Sequence, residues 1–459
     1  MGSMQALQDR FERNVVFQFR LRLCGDEALV GKVLDAVGEA GAAVGELLLD
    51  EHDAESGDLL YDLVVFVTDD AQLADVRARA EALDGVTVEE ATDLAMESHR
   101  GGACEIRSRQ PIRSNTDLRI VYTPGVARVC KAIQAEPARA RELTNIANKV
   151  AIATNGTAIL GLGDIGCLAG LPVMEIKSAI FWEFAGISAD PLLIDTRDAE
   201  EFISVCAKLA CGFGAIQVED VKAPECFRVT RELDRRLPIP VFHDDQHGTA
   251  TVVLAGLYSA LARTGKRIED MTCAISGAGA AGTAIADLLM EAGAGDVVLC
   301  DSRGAIHRGR TERMNAEKQA LAERTNADNQ QGSLADVMRG KELFIGVSQP
   351  DLVTPEMVRS MAPDPLVFAL ANPVSEIAVS EAYRAGASVA ADGRMMNNAL
   401  AYPGIFRGAL DAEAASITLE MMMAAAHALA GCVPEGELMP EMMDPATHSA
   451  VAEAVHDAS

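Results

Sequence analysis

Two acidic pairs, Glu219-Asp220 and Asp244-Asp245, each close an apolar, strand-like run: FGAIQV at 213–218 and IPVFH at 239–243. Carboxylates gathered at one edge repel one another. A hard divalent cation, Mg²⁺ or Mn²⁺, relieves that repulsion and prefers all-oxygen ligands. One such pair alone reads as an acidic helix cap facing solvent; two that share an edge point to a metal. Lys177 lies upstream in VMEIKSAIFWEFAGI (173–187), a segment of helical periodicity, on one face with Ile180, Phe181 and Phe184. A lysine there either reaches water along its stem or is desolvated, with its pKa lowered toward that of a working base. Tyr122 in VYTPGV precedes a Pro-Gly turn and is either a core phenol or a proton donor.

The spacing G-x-G-x-x-G occurs twice. Gly277, Gly279 and Gly282 follow the strand-like MTCAIS and open the helical TAIADLLMEAG, after which DVVLC ends at Asp301. That acid stands about 20 residues beyond the glycines, the spacing of a ribose 2′-hydroxyl ligand in a dinucleotide fold. Here the backbone can approach a pyrophosphate at the start of a helix. Asp301 favours NAD, since a carboxylate repels a 2′-phosphate; Arg303 can accommodate one, which leaves NADP open. The other copy, Gly161, Gly163 and Gly166, runs into CLAGLPV, with a proline and no clear helix start. It predicts a tight structural turn, with Asp164 as a support to the active site. His243 and His247 in HDDQH imitate a zinc spacing, but the motif leaves a strand where zinc histidines of this type need a helix.

These groups must be positioned by their elements. KAPECFRVTRELDRRLP, between the two acidic runs, reads as a helix, so strand, helix and strand form a parallel βαβ unit. Both acidic pairs then emerge side by side at the carboxyl edge, where such sheets bind ligands. Residues 268–410 alternate strand and helix (MTCAIS, DVVLC, ELFIGVS, PLVFALA), the pattern of a doubly wound Rossmann-type parallel sheet. Residues 14–93 run βαββαβ, a ferredoxin-like split unit, and 99–110 reads as a linker. After Asp411 the chain is helical and Met-rich, an adaptable core. The predicted class is α/β, with a mixed α/β region carrying the acidic pairs.

The 459 residues suggest about three domains. A formal net charge of -28 argues against nucleic acid and anionic membrane as partners. Ten scattered cysteines lack any C-x-x-C pair and most sit in apolar runs, such as Cys273 and Cys300, which predicts buried thiols in a reducing, cytoplasmic compartment. No apolar stretch is long enough to span a membrane, and MGSMQALQDR is not a signal peptide.

Taken in order, YTPGVA, GLGDIG, EIKSAIF, the Glu219-Asp220 pair, FHDDQHGTA, SGAGAAG, CDSRG, FALANP and NNALAYPGIFRGAL closely resemble the compact bacterial type of malic enzyme, over roughly residues 100–415. Residues 12–95 resemble an ACT domain, a small-molecule regulatory module, with GDEAL (25–29) where such domains often show D-x-P-G. The resemblance implies an ACT-like domain at 12–95, a substrate and metal domain at 100–247, an NAD(P)-binding domain at 248–412 and a helical segment at 413–459. It implies metal-dependent oxidative decarboxylation of (S)-malate to pyruvate and CO₂, with NAD(P)⁺ reduced. Lys177 matches the general base and Tyr122 the general acid; Glu219, Asp220 and Asp245 match the metal ligands, with Asp244 beside them. Asn372 and Asn398 match substrate-binding amides, Asn372 also touching the cofactor. A homo-oligomer and an effector at the ACT-like domain are further implications. Three departures stand out: Ile176 where the family often has glycine, Asn155 in place of a common aspartate, and a shortened loop at GRMMNNAL. Two other readings stay open on the residues alone: an amino-acid dehydrogenase, and a non-catalytic amino-acid sensor.

Overall fold

The computed structural model describes residues 15–24, 26–52 and 56–459. The chain divides into two compact units, Met1–Ala103 and Cys104–Ser459. The N-terminal decapeptide lies outside the described residues.

The first unit is one antiparallel sheet with two helices. Strands β1 (Val15–Leu23), β2 (Ala43–His52), β3 (Leu59–Val67) and β4 (Val86–Asp93) lie in the order β2-β3-β1-β4. Alternation in β1 explains its two faces. Phe19, Leu21 and Leu23 are buried with Leu63, Val65, Val37 and Val76. Arg20 and Arg22 point to the other face and meet Asp50 at 2.5 Å and Glu89 at 2.6 Å. Helix Ala28–Glu39 follows β1; helix Asp70–Glu81 follows β3 and is capped by Asp69, which accepts from the Gln72 N–H. The βαββαβ order expected here is the one found.

The second unit holds two parallel sheets. Strands β5 (Lys149–Thr154), β6 (Ser188–Leu193), β7 (Ala215–Val218) and β8 (Val241–His243) lie in the order β6-β5-β7-β8. Strands β9 (Thr272–Ser276), β10 (Asp296–Asp301), β11 (Gly304–Ala305), β12 (Leu343–Gly346), β13 (Leu366–Ala369) and β14 (Val389–Asp392) lie in the order β11-β10-β9-β12-β13-β14. All pairings in this sheet are parallel except the β10–β11 hairpin. Successive crossovers diverge on either side of β9, which opens a crevice at its carboxyl end. β12 and β13 are apolar and fully buried, as strands covered on both faces must be.

Helix Thr249–Thr264 joins the two sheets and is buried nearly all round, through Val252, Val253, Leu254 and Leu257. The Met-rich helix Leu419–Gly431 and the last helix, Pro445–Asp457, join the same core through Met421, Met422, Leu429, Val451 and Val455. Among the described residues, no helix is long and apolar enough to cross a membrane.

One expected boundary moves. The helix carrying Lys177 runs Cys167–Ala185 and starts directly after Gly166, so the first glycine motif does open a helix. Pro172 lies inside it rather than before it. The carbonyl that loses a partner is that of Leu168, in an exposed turn where water can satisfy it.

Candidate active site

Strands β7 and β8 are parallel neighbours, with Val218 opposite His243. Glu219-Asp220 and Asp244-Asp245 therefore leave adjacent strands at one edge, as the spacing predicted. Glu219, Asp220 and Asp245 each offer an oxygen, and these lie within 4.8 Å of one another. The Asp220 N–H donates to Asp245 Oδ2 at 3.1 Å, with Asp220 at φ 52, a backbone state aspartate tolerates better than most residues.

Asp244 does something different. It is fully buried and pairs with Lys177, whose Nζ also stands 2.9 Å from Glu219 Oε1. Gly248 leaves room for it: a Cβ there would sit 2.1 Å from Asp244 Oδ1. Neither expectation for Lys177 holds in this arrangement. Burial works against its charge, but the carboxylates of Asp244 and Glu219 outweigh burial and hold the ammonium well above its usual range. Glu219 is pushed up by burial, against the pull of Lys177 and with the repulsion of Asp244, Asp245 and Asp220. Burial likewise raises Asp245. A single lysine facing four carboxylates, three of them buried, leaves a surplus of negative charge at this edge. That oxygen-only donor set fits Mg²⁺ or Mn²⁺.

Asn398 belongs to the same site. Its amide donates to the Asp244 backbone oxygen at 3.3 Å and to Thr249 Oγ1 at 3.1 Å. Asn372 lies on the turn beyond β13, where a Cβ on Gly161 would come within 3.0 Å of its backbone oxygen. Gly161 thus lets its turn sit close on that loop. Asp164 is tied to Arg197 at 2.6 Å. Asn155, the replaced aspartate, is buried; it donates to Thr196 O at 3.2 Å and accepts from Thr157 Oγ1 at 2.6 Å, which accounts for an amide there.

Tyr122 is not brought to Lys177. It follows helix Asn115–Val121 and is 63% exposed. The groups that reach Lys177 are Asp244, Glu219 and the ring of Tyr402, whose centroid is 4.8 Å from Nζ. The histidines of HDDQH contribute no atom to the group of possible ligands formed by Glu219, Asp220 and Asp245. His243 is fully buried with no hydrogen bond to its ring, and His247 Nδ1 receives the His243 N–H at 3.3 Å. Burial lowers each to about 4, so both are neutral.

Sequence reasoning missed Tyr402 and Gln217. Tyr402 is buried and its hydroxyl has no partner. Gln217 donates to Glu219 Oε2 at 2.5 Å from inside a wholly buried strand. A lone amide in an apolar run was the available signal for Gln217, since buried amides need partners.

The dinucleotide edge matches its motif. Gly277 has φ 117, and a Cβ would meet Val347 O at 2.6 Å. A Cβ on Gly282 would lie 1.8 Å from Gly277 O, so this glycine lets helix Ala280–Glu291 pack on its own turn. Gly279, at the start of that helix, faces open space, the cradle a pyrophosphate needs. Asp301 ends β10 as expected.

Two parallel sheets bearing a carboxylate cluster, a buried lysine and a dinucleotide cradle define a metal-dependent, nicotinamide-linked oxidoreductase. Comparison with known proteins narrows the class. Residues 102–200 match the model of the malic enzyme N-terminal domain, and residues 246–458 that of the malic enzyme NAD-binding domain. An NAD-dependent malic enzyme of Geobacillus stearothermophilus is 43% identical over 96% of this chain and 92% of its own. A bifunctional malic/malolactic enzyme of Bacillus subtilis is 46% identical over 78% of this chain and 90% of its own. The crystal structure of an NAD-dependent malic enzyme from Thermotoga maritima superposes with a TM-score of 0.76 at 39% identity, covering 79% of this chain and 98% of that one. The chain belongs to the malic enzyme family, in its compact bacterial form. It is an NAD(P)-dependent oxidoreductase that decarboxylates malate oxidatively.

Proposed function

We propose that Lys177 is the general base of this reaction, Tyr122 the general acid, and Glu219, Asp220 and Asp245 the metal ligands. The observation that carries the reading is Lys177 buried between Glu219 and Asp244 beside the carboxylate cluster. Mg²⁺ or Mn²⁺ on Glu219, Asp220 and Asp245 would supply Lewis-acid polarisation of the substrate oxygens. Once Glu219 has another counter-charge, one of the two carboxylates that hold the Lys177 proton is engaged elsewhere, and burial weighs more heavily toward the neutral amine. In that form Nζ takes the C2 hydroxyl proton of malate. Asn398 orients substrate from the Asp244 side, Asn372 from the β13 turn, where it also meets the cofactor. The Tyr122 phenol returns a proton to C3 as pyruvate forms.

The test is NAD(P)H absorbance with (S)-malate and Mn²⁺, with and without EDTA, alongside a pyruvate assay. The parent enzyme makes one pyruvate per NAD(P)H, and Lys177→Ala slows turnover by at least about 100-fold. An unimpaired Lys177→Ala enzyme removes lysine from the mechanism.

A second copy completes this site. Tyr122 lies on an arm, residues 104–143, whose helices Asn115–Val121 and Gly125–Ala135 contain no buried residue. Ile106, Ile112, Leu118, Ile120 and Val126 are all exposed on it. The helix of Lys177 exposes Leu168, Ile176 and Trp182 on its outer side, beside Leu162. Two unpartnered apolar surfaces in one chain suit a homo-oligomer in which the arm delivers Tyr122 to the partner.

The βαββαβ order of the first unit suits an ACT-like module, and we assign it the binding of a small-molecule effector. A change in malate KM with an added amino acid or acyl-CoA supports this; identical kinetics across such a panel remove it. Ten free cysteines fit a reducing cytoplasm.

A further inference from the structure

The acid that should exclude a 2′-phosphate has been disarmed. Asp301 accepts two bonds from Arg310, at 2.7 and 2.8 Å, one from Lys318 Nζ at 2.6 Å, and one from the Arg303 N–H at 2.9 Å. Three donor nitrogens making four contacts occupy the acceptor sites of one carboxylate. Its side chain is only 10% exposed and that of Arg310 7%. A ribose hydroxyl donating to Asp301 would have to compete with two full cations.

The residues just beyond carry more positive charge than Asp301 needs. Arg303 is half exposed, and its ion pair is with the exposed Glu312 at 3.1 Å. Arg313 reaches back over the turn to Ser302 Oγ at 3.3 Å. Arg303, Arg310, Arg313 and Lys318 stand against Asp301 and Glu312, four cations to two anions, in a chain whose formal net charge is -28. Ser302 and Arg303 form the turn from β10 into β11, directly after the acid that marks the ribose position. A hydroxyl and two exposed guanidinium groups at that spot suit a phosphate monoester, which guanidinium groups bind in fork geometry.

We infer that this turn binds a 2′-phosphorylated adenosine, so that NADP⁺ serves this enzyme at least as well as NAD⁺. Arg310 and Lys318 neutralise Asp301, and Arg303, Arg313 and Ser302 take the phosphate. The inference rests on Gly277–Gly282 being the dinucleotide cradle.

Calorimetry on the intact protein with adenosine 2′,5′-bisphosphate and adenosine 5′-monophosphate tests it. The bisphosphate binds at least about tenfold tighter, and Arg303→Ala combined with Arg313→Ala abolishes that margin while leaving the monophosphate unchanged. Both arginines are exposed, so the variant keeps its fold. In kinetics the same variant loses kcat/KM for NADP⁺ selectively. Equal affinities in the parent, or a margin that survives the double substitution, overturns the inference. If neither nucleotide binds, the cradle itself is misassigned, a separate failure.

Discussion

At the residue scale the site is governed by charge balance. Lys177 is the counterion of two buried carboxylates, and removing one partner of a buried ion pair strands the others. Lys177→Met should therefore cost about 3–5 kcal/mol in EDTA, and added Mn²⁺ should recover much of that; denaturant unfolding in both conditions checks it. Tyr402→Phe removes a hydroxyl with no partner and keeps the ring beside Lys177. Its stability should stay within about 1 kcal/mol of the parent; a larger loss would mean that the hydroxyl is bonded. His448 stacks on Phe184 and bonds Met442 O, and burial lowers its pKa against the pull of that carbonyl and of Asp444. A lowered histidine pKa gives stability that is present above the unfolded value, about 6.5, and lost as pH falls through the folded one. Thermal midpoints should fall between pH 7 and 5, less steeply in His448→Gln. The acidic pairs, Lys177 and the glycines were legible because their types are rare in apolar runs. The partnership of Asp244 with Lys177 was not, because the two are 67 positions apart and belong to different elements.

Among elements, parallel pairing does the assembling. β7 and β8 put four carboxylates on one edge because both strands end there, and this followed from the sequence once helix Glu225–Arg236 was read between them. The start of helix Cys167–Ala185 was hidden by Pro172, since a proline there ordinarily marks a boundary. The glycines separate two demands on one turn. Gly282→Ala drives a Cβ into Gly277 O and should lower both stability and cofactor binding. Gly279→Ala meets nothing in the protein, so it should melt normally yet raise KM for the dinucleotide several-fold. Melting and steady-state kinetics on both variants distinguish fold from cradle.

For the whole molecule, the arm at 104–143 sets the expectation. Its apolar residues face solvent in a single chain, so sedimentation should find a dimer or larger assembly. Tyr122→Phe and Lys177→Ala, each inactive alone, should regain partial activity when mixed, because a mixed pair carries one site with both groups intact. Continued inactivity after subunit exchange would place Tyr122 and Lys177 of one site in the same chain. No local pattern in the sequence bears on this choice: an amphipathic helix reads the same whether its partner is its own chain or another. The charge arrangement around Lys177 has a further consequence for how the protein is made. Domains built around structural zinc fold only as the ion arrives. Here Lys177 gives Asp244 and Glu219 a counter-charge that belongs to the chain itself, so part of the charge balance at this edge comes with the polypeptide.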